Sequence, residues 1–449
     1  MNIVVIVSDT FRADHLGCYG NKDIFTPHLD QFAQQGFQFN NCHAASFPTV
    51  PARADLFTGK FTFTYLGWAS LPRNEKTLPE ILKEAGYTTI GVVDTPFLLR
   101  DGYGYDRGFD EFLWVQGQGK NKEMRRVRSK RRYEEDYCAP KTMSTAEKML
   151  EDYHQEEFFL YVDTWDPHEP WDPPSWYAKR YSRDNFDHFV YPCYGDWRKK
   201  GLKWEEVEFA HACYCAEITM VDHWIGRLLD RIKSLGLWDS TAILFTSDHG
   251  FYFGEHGYFG KGVRDKIARA DTPEQFERWY WSPLYQEITR VPLIVYFPGV
   301  KAGQAEALVS LVDLMPTLLE LAGVDIPSTV QGQSLLLLMK QNVGNNRDFV
   351  VTSWPLYNVG DTTRVVDDFE RMIKEPQPST ITTKKWTLLY GTDEYPAELY
   401  HVLNDPTQTK NIINENWEIA QDLHRKFVTF LEQVGTQEKI LTPRRRLSK

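Results

Sequence analysis

Cysteine is scarce in this chain: six residues in 449, at Cys18, Cys42, Cys138, Cys193, Cys213 and Cys215. There is no CxxC pair and no zinc-type spacing. That excludes a disulfide scaffold and sets the expectation of a reducing, cytoplasmic compartment. Long apolar runs are missing too. The opening Ile3-Val4-Val5-Ile6-Val7 is too short to span a bilayer and shows no leader pattern, so no membrane partner is expected. Positive charge is in deficit, with 51 Lys plus Arg against 62 Asp plus Glu and a formal net charge of −11. Such a surface argues against nucleic acid as a partner. An anionic substrate would need a local cation, and a metal ion would supply one. No internal repeat is present. What remains is a globular balance, 42% hydrophobic and 25% charged, with a high aromatic share of 14%. At ~100–200 residues per domain, the length predicts two or three domains.

Short apolar runs alternate with amphipathic helices. Ile3–Val7, Thr88–Asp94, Phe158–Asp163, Ala242–Thr246 and Leu293–Phe297 read as buried strands. Thr26-Pro27 opens a helix that Gly36 closes, and Thr77-Leu78-Pro79-Glu80 has capping-box spacing. Glu205–Leu235 reads as one long helix, with Ile218, Val221, Ile225, Leu228 and Ile232 on one face, and Leu311–Ala322 as another helix. The alternation predicts an α/β fold, a large, mainly parallel sheet flanked by helices. After about residue 350, Arg364–Ile373, Ser379–Thr383, Trp386–Tyr390 and Ala397–Val402 read as short strands, and Glu415–Val434 as a helix. The expected division is a catalytic α/β domain over 1–350 and a small C-terminal α+β subdomain with an antiparallel sheet over 351–449. A basic run (120–132) and an aromatic stretch (176–197) read as insertions.

In parallel sheets, ligands bind beyond the carboxyl ends of strands. Asp9-Thr10, Asp166-Pro167-His168 and Asp248-His249 each follow a predicted strand. A carboxylate beside an imidazole suits a divalent cation. Singly, an Asp after a strand is more often a turn or cap residue, but three strand ends agree. Thr49 precedes Pro51 at the head of a predicted helix, where a hydroxyl meets the positive helix end, and Arg53 lies one turn in. Taken alone, a plain N-cap at Thr49 and a surface Arg53 fit the same pattern better.

In order along nearly the whole chain, these motifs resemble the sulfatase branch of the alkaline phosphatase superfamily. Ser8-Asp9-Thr10 with Asp14–Gly20 is similar to its first metal motif, and Thr49–Gly59 to its nucleophile signature, normally Cys-x-Pro-x-Arg. Asp166–Pro170 resembles its active-site histidine segment, and Tyr214–Leu229 its Ala-Glu-x-x-x-x-Asp helix. Ser247–Gly257 with Lys261 resembles its second metal motif and anion-binding lysine, and Tyr285–Pro298 its Glu-x-x-Arg-Val-Pro-Leu strand. Two departures stand out. Thr49 replaces the cysteine that the family oxidises to formylglycine, and a threonine cannot form that aldehyde. Asp94-Thr95-Pro96 stands near where the family carries Lys-Trp-His.

A threonine at this place is a feature of the phosphodiesterase and phosphotransferase branches, which form a phospho-threonine. The resemblance therefore implies one divalent cation (Mn²⁺, Zn²⁺ or Ca²⁺) on Asp9, Asp248 and His249. Thr49 would be a further ligand and the nucleophile, with Thr10 adding an oxygen. Arg53 and Lys261 would hold non-bridging oxygens. His168 would bind substrate and protonate the leaving group. Glu255 and His256 would shape the site. The expected substrate is a small anionic ester, a phosphodiester or a phosphonate monoester. A sulfatase working without formylglycine and a phosphotransferase are the alternatives. Homo-oligomerisation is left open.

Overall fold

In a computed structural model of the chain, all residues are described except 96–97, 99–101, 117–132, 183–189, 269–274, 342–346, 357–377, 393–395 and 449, with backbone alone over 264–268 and 275–281. The opening apolar run forms strand β1 (Asn2–Ser8), every residue of it buried. Its alternate side chains feed two cores. Ile3, Val5 and Val7 pack on one face with Val50, Phe57, Leu314 and Leu318. Val4 and Ile6 pack on the other with Met143, Ile218, Val221 and Ile225. A strand covered on both faces has no need of polar alternation, which is why it reads as an unbroken β-branched run.

The elements that follow are α1 (Pro27–Gln35), β2 (Phe37–His43), α2 (Thr49–Thr58), α3 (Leu78–Glu84), β3 (Thr88–Val93), β4 (Glu111–Trp114), α4 (Cys138–Tyr153), β5 (Phe158–Thr164), α5 (Trp204–Ser234) and β6 (Thr241–Thr246). Then come β7 (Arg290–Val291), β8 (Leu293–Tyr296), β9 (Gly303–Ser310) and α6 (Leu314–Ala322). These strands form one nine-stranded sheet in the order β7-β2-β8-β6-β1-β5-β3-β4, with β9 also on β2. The pairs β1–β5, β1–β6, β3–β5, β3–β4 and β2–β9 are parallel. β8 runs antiparallel to both β6 and β2. The fold is thus the mainly parallel, helix-flanked α/β sheet expected. Val7 lies level with Asp163 of β5 and Thr246 of β6, so the residues after three adjacent strands leave the sheet at one edge.

A separate four-stranded antiparallel sheet holds β10 (Phe349–Ser353), β11 (Ser379–Thr383), β12 (Thr387–Tyr390) and β13 (Glu398–Tyr400), covered by helix α7 (Trp417–Gln433). β10 carries no expectation from the sequence. The predicted strand Arg364–Ile373 and the basic run lie outside the described residues, as does part of the aromatic stretch. One helix differs from expectation. Leu311–Ala322 is a 3₁₀ turn over Leu311–Asp313 and then α6, because Asp313 turns back to accept the Ser310 N–H at 2.9 Å and the Gln333 N–H at 2.8 Å. Among the described residues all six cysteines are free, and no helix is long and apolar enough to cross a membrane.

Candidate active site

The carboxyl ends of β1 and β6 bring Asp9, Asp248 and His249 together. One ligand atom from each lies within 4.8 Å of the other two, and all three side chains are buried. His249 is oriented by the backbone of the residue after it. Its Nδ1–H faces the Gly250 carbonyl at 3.0 Å, which leaves the Nε2 lone pair for the site. Burial pushes this imidazole down to about 4, so it is neutral and able to ligate at neutral pH. A Cβ at Gly250 would stand 1.9 Å from the Glu287 carbonyl oxygen, so the close packing behind His249 requires glycine.

Thr10 has φ +62°, a costly conformation for a β-branched residue, roughly 1–3 kcal/mol. The twist aims its N–H at Asp248 Oδ1 (2.9 Å) and its hydroxyl at Asp9 Oδ1 (2.6 Å). The Thr10 hydroxyl therefore orients a carboxylate, where the sequence reading expected it to add an oxygen of its own to the site. The Tyr214 hydroxyl, from α5, accepts the Arg12 N–H at 2.9 Å and donates to the Thr10 carbonyl at 2.8 Å, bracing the same loop.

The donor set fits a hard or borderline divalent cation. Asp9 Oδ2 is buried without a hydrogen bond, although Arg53 Nη2 stands 3.1 Å away. Burial and the neighbouring Asp248 push the Asp9 carboxyl well above the usual range. Against the same burial, His249 and Arg53 hold Asp248 below it. Asp163, at the end of β5, adds a third buried carboxylate to one guanidinium. A divalent cation would bring that cluster to neutrality.

Arg53 corrects the sequence reading. It was expected to hold substrate oxygens, yet four hydrogen bonds and an ion pair with Asp9 hold its fork inside the protein. Nε and Nη2 form a bidentate pair with Asp163 at 2.7 and 2.8 Å, and Nη2 also faces Asp9. Nη1 binds Asp248 Oδ2 at 2.5 Å and the Thr49 carbonyl at 3.2 Å. A guanidinium has five N–H bonds; four are hydrogen-bonded here, and Nη2 also stands 3.1 Å from Asp9 Oδ2 without a hydrogen bond. Arg53 is the positioning residue of the site. Arg53→Met would leave buried Asp163 without its counter-charge, and is expected to cost about 3–5 kcal/mol of stability in urea unfolding.

Thr49 is the first residue of α2 rather than the cap before it, and Pro48 occupies the cap position. Its Oγ1 lies 3.4 Å from His249 Nε2. Within α2, Asp55 accepts the Ser46 N–H and hydroxyl and the Thr62 N–H and hydroxyl, which fixes the chain leading into Thr49.

His168 and Lys261 form the other wall, with Lys261 Nζ 2.5 Å from His168 Nε2. His168 Nδ1 faces the Glu169 carbonyl at 2.6 Å. Burial and the Lys261 ammonium hold this imidazole well below its ordinary value. In the pair, Lys261 is therefore the donor and His168 the acceptor, the reverse of the role expected for His168. The Glu169 carboxylate stands 3.7 Å from Lys261 and completes the wall. Asp166 leaves the site, because its side chain accepts the Ala139 N–H at the start of α4 (3.0 Å). The helix motif has a comparable structural use: Glu217 accepts the Asp172 N–H at 2.7 Å, beyond His168, and Asp222 accepts the His28 and Leu29 N–H groups of α1. Glu255 pairs with Arg12 at 2.6 Å, and His256 stacks on Tyr285, both outside the ligand group.

Near β3, Thr95 donates to Asp163 at 2.5 Å and Asp94 accepts the Trp165 N–H, so these two side chains add no cation to the site. A cavity of about 490 Å³ lined by Asn41, His43, Arg290, Thr380, Lys384 and Gln408 contains none of the site residues.

Residues 1–324 match the family model described as Sulfatase, and residues 277–434 match that described as N-sulphoglucosamine sulphohydrolase, C-terminal. An arylsulfatase of Clostridium perfringens is 26% identical over 97% of this chain and 95% of its own length. An N-acetylglucosamine-6-O-sulfatase of Bacteroides thetaiotaomicron is 26% identical over 98% of this chain and 87% of its own. Among solved structures, a phosphonate monoester hydrolase of Agrobacterium radiobacter has a TM-score of 0.74 over 96% of each chain at 19% identity, a likeness of fold.

Proposed function

The chain belongs to the sulfatase family, whose members generally bind a divalent metal ion, and we propose that it hydrolyses phosphodiesters or phosphonate monoesters with Thr49 as nucleophile. One observation carries the reading: a threonine hydroxyl, not an oxidisable cysteine, stands at the head of α2 beside His249. Asp9, Asp248 and His249 would hold the cation, with Thr49 as a further ligand. When bound there, the cation supplies a Lewis acid that lowers the pKa of a nearby hydroxyl and neutralises the buried carboxylates.

The protein's own groups account for the remaining steps. Thr49 Oγ1 gives its proton to solvent and forms a bond to phosphorus as the bond to the leaving oxygen breaks, giving a phospho-threonine. Lys261, hydrogen-bonded to His168, delivers the proton to that oxygen. Water then cleaves the phospho-threonine. With Arg53 held by four internal hydrogen bonds and ion-paired to Asp9, Asp163 and Asp248, Lys261 is the cation most available to the anion from the described residues that form the site. That favours a substrate carrying a single negative charge over a monoester dianion. A sulfate ester is also a monoanion, so charge does not separate it from a diester; the residue at position 49 does.

The sulfatase reading is favoured by the names of the relatives. A panel of aryl phosphate mono- and diester, aryl phosphonate and aryl sulfate at matched leaving-group pKa decides between the two. Diester or phosphonate turnover is expected to lead. A lead for the sulfate would sink the proposal.

The Lys261–His168 pair gives a second test. Lys261→Ala is expected to slow esters of poor leaving groups by about 10²–10⁴-fold, while 4-nitrophenyl esters lose far less. His168→Ala should share that selectivity without removing an acidic limb near neutral pH, since His168 is uncharged there. An equal loss on both classes of ester would point to a binding role for the pair.

A further inference from the structure

Outside the active site, a second group of ligand-type side chains converges where the loop after β1 meets the long helix α5. We propose that His15, His211 and Cys215 form a second metal site, built for a thiolate-accepting borderline cation of the Zn²⁺ class. His211 and Cys215 lie one turn apart on α5, and His15 closes a 3₁₀ turn over Ala13–His15. His15 Nε2 stands 2.7 Å from His211 Nε2, and Cys215 Sγ 3.6 Å from the same atom. All three ligand atoms lie within 4.8 Å of one another.

Zn–N bonds of ~2.0–2.1 Å and a Zn–S bond of ~2.3 Å at tetrahedral angles put nitrogen and sulfur about 3.6 Å apart and two nitrogens about 3.3 Å apart. The N···S distance is already met. The two imidazoles must part by roughly half an ångström, a small movement at the half-buried His211.

The surroundings match the ligand group. His15 Nδ1 faces Asp14 Oδ1 at 2.8 Å, the carboxylate–histidine arrangement that frees Nε2 to ligate. The Arg12 charge nearby is paired with Asp14 and Glu255. His15 and Cys215 are buried, while His211 opens toward solvent and leaves an approach for an ion and room for a water as fourth ligand.

Binding is balanced in protons. The Cys215 thiol loses its hydrogen to solvent and binds as thiolate, and the proton between the two imidazole Nε2 atoms moves to His211 Nδ1. Two imidazoles and a thiolate select against Mg²⁺ and Ca²⁺, so this site and the Asp9 site differ in the ions they take. Its place suggests its use. It ties α5 to the loop that carries Asp9 and Thr10, six and five residues upstream of His15.

The test uses Co²⁺ on the full chain. Wild type is expected to show a near-ultraviolet thiolate-to-cobalt charge-transfer band, which the carboxylate site lacks the sulfur to produce. The band should survive Asp248→Asn and Cys213→Ser. It should vanish in Cys215→Ser and in His211→Gln, each with the loss of one bound cobalt per chain. His211→Gln, at a half-exposed position, serves where Cys215→Ser does not fold. Absence of the band in wild type, or its persistence in either ligand variant, would overturn the proposal.

Discussion

Chelation of divalent cations is expected to abolish turnover, and Mn²⁺, Zn²⁺ or Ca²⁺ added back is expected to restore it. The reason lies in the charges beneath Thr49. Asp9, Asp163 and Asp248 are all buried, and one guanidinium serves all three. Asp9 Oδ2 has no hydrogen bond. Lewis-acid stabilisation is worth several kcal/mol, and each 1.36 kcal/mol is tenfold in rate, so a loss of about 10³-fold or more follows. Asp248→Asn should give a loss of the same order that added cation does not repair. A stability measurement separates this from a purely structural role of Asp248. In the metal-free chain, burial and Asp248 raise Asp9 above its ordinary 3.8. A carboxyl with a raised folded pKa loses stability as pH rises above the unfolded value. Asp9 should therefore contribute a loss of stability with rising pH from about 4 upward, and Asp9→Asn should make the slope of the metal-free protein shallower, the part from Asp55, Asp94 and Asp222, likewise raised by burial, remaining. Full activity in a demonstrably metal-free preparation would end the metal assignment.

The convergence of Asp9, Asp248 and His249 was legible because they sit at the carboxyl ends of parallel strands, where short motifs after apolar runs declare themselves. Asp9, Asp248 and His249 needed only the order β6-β1-β5 to meet. Arg53 was legible as a residue of the site but not in its role. Its partner Asp163 ends the run Phe158–Asp163 and was read as part of the strand, though a carboxylate closing a buried strand is itself a signal. With Asp163 recognised, the guanidinium would have been placed among carboxylates instead of on the substrate. The direction of the His168–Lys261 hydrogen bond depends on a contact across 93 positions, and no local pattern encodes it. The same holds for His15 against His211, 196 positions apart. Spacing along the helix shows His211 and Cys215 as neighbours, but only the packing of α5 onto the β1 loop adds the third ligand.

Thr49→Ala is expected to lower kcat/KM by between about 10⁴- and 10⁶-fold, the range seen when a member of a nucleophilic unit is removed. The fold should survive. Thr49 is buried, but among the described residues its hydroxyl has a single 3.4 Å contact, so little stability rests on it. Thr49→Ser keeps the hydroxyl and should retain part of the activity. A phosphoester transition state gathers charge on its non-bridging oxygens, and the N-terminus of α2 and Lys261 are placed to meet that charge. Because the native residue cannot be oxidised to an aldehyde, co-expression with a formylglycine-generating enzyme should leave wild-type activity unchanged. Thr49→Cys restores the Cys-x-Pro-x-Arg pattern with Pro51 and Arg53 already in place. Co-expressed with that enzyme, this variant should shift the ratio of sulfate to phosphorus ester turnover toward sulfate. Rapid quench of wild type with a slow diester should trap phosphorus on the peptide that contains Thr49. Near-wild-type turnover by Thr49→Ala on the best substrate, or a trapped adduct elsewhere in the chain, would remove Thr49 as the nucleophile. The α/β scaffold and its cation site would then need a different attacking group, with water beside His249 the first to examine.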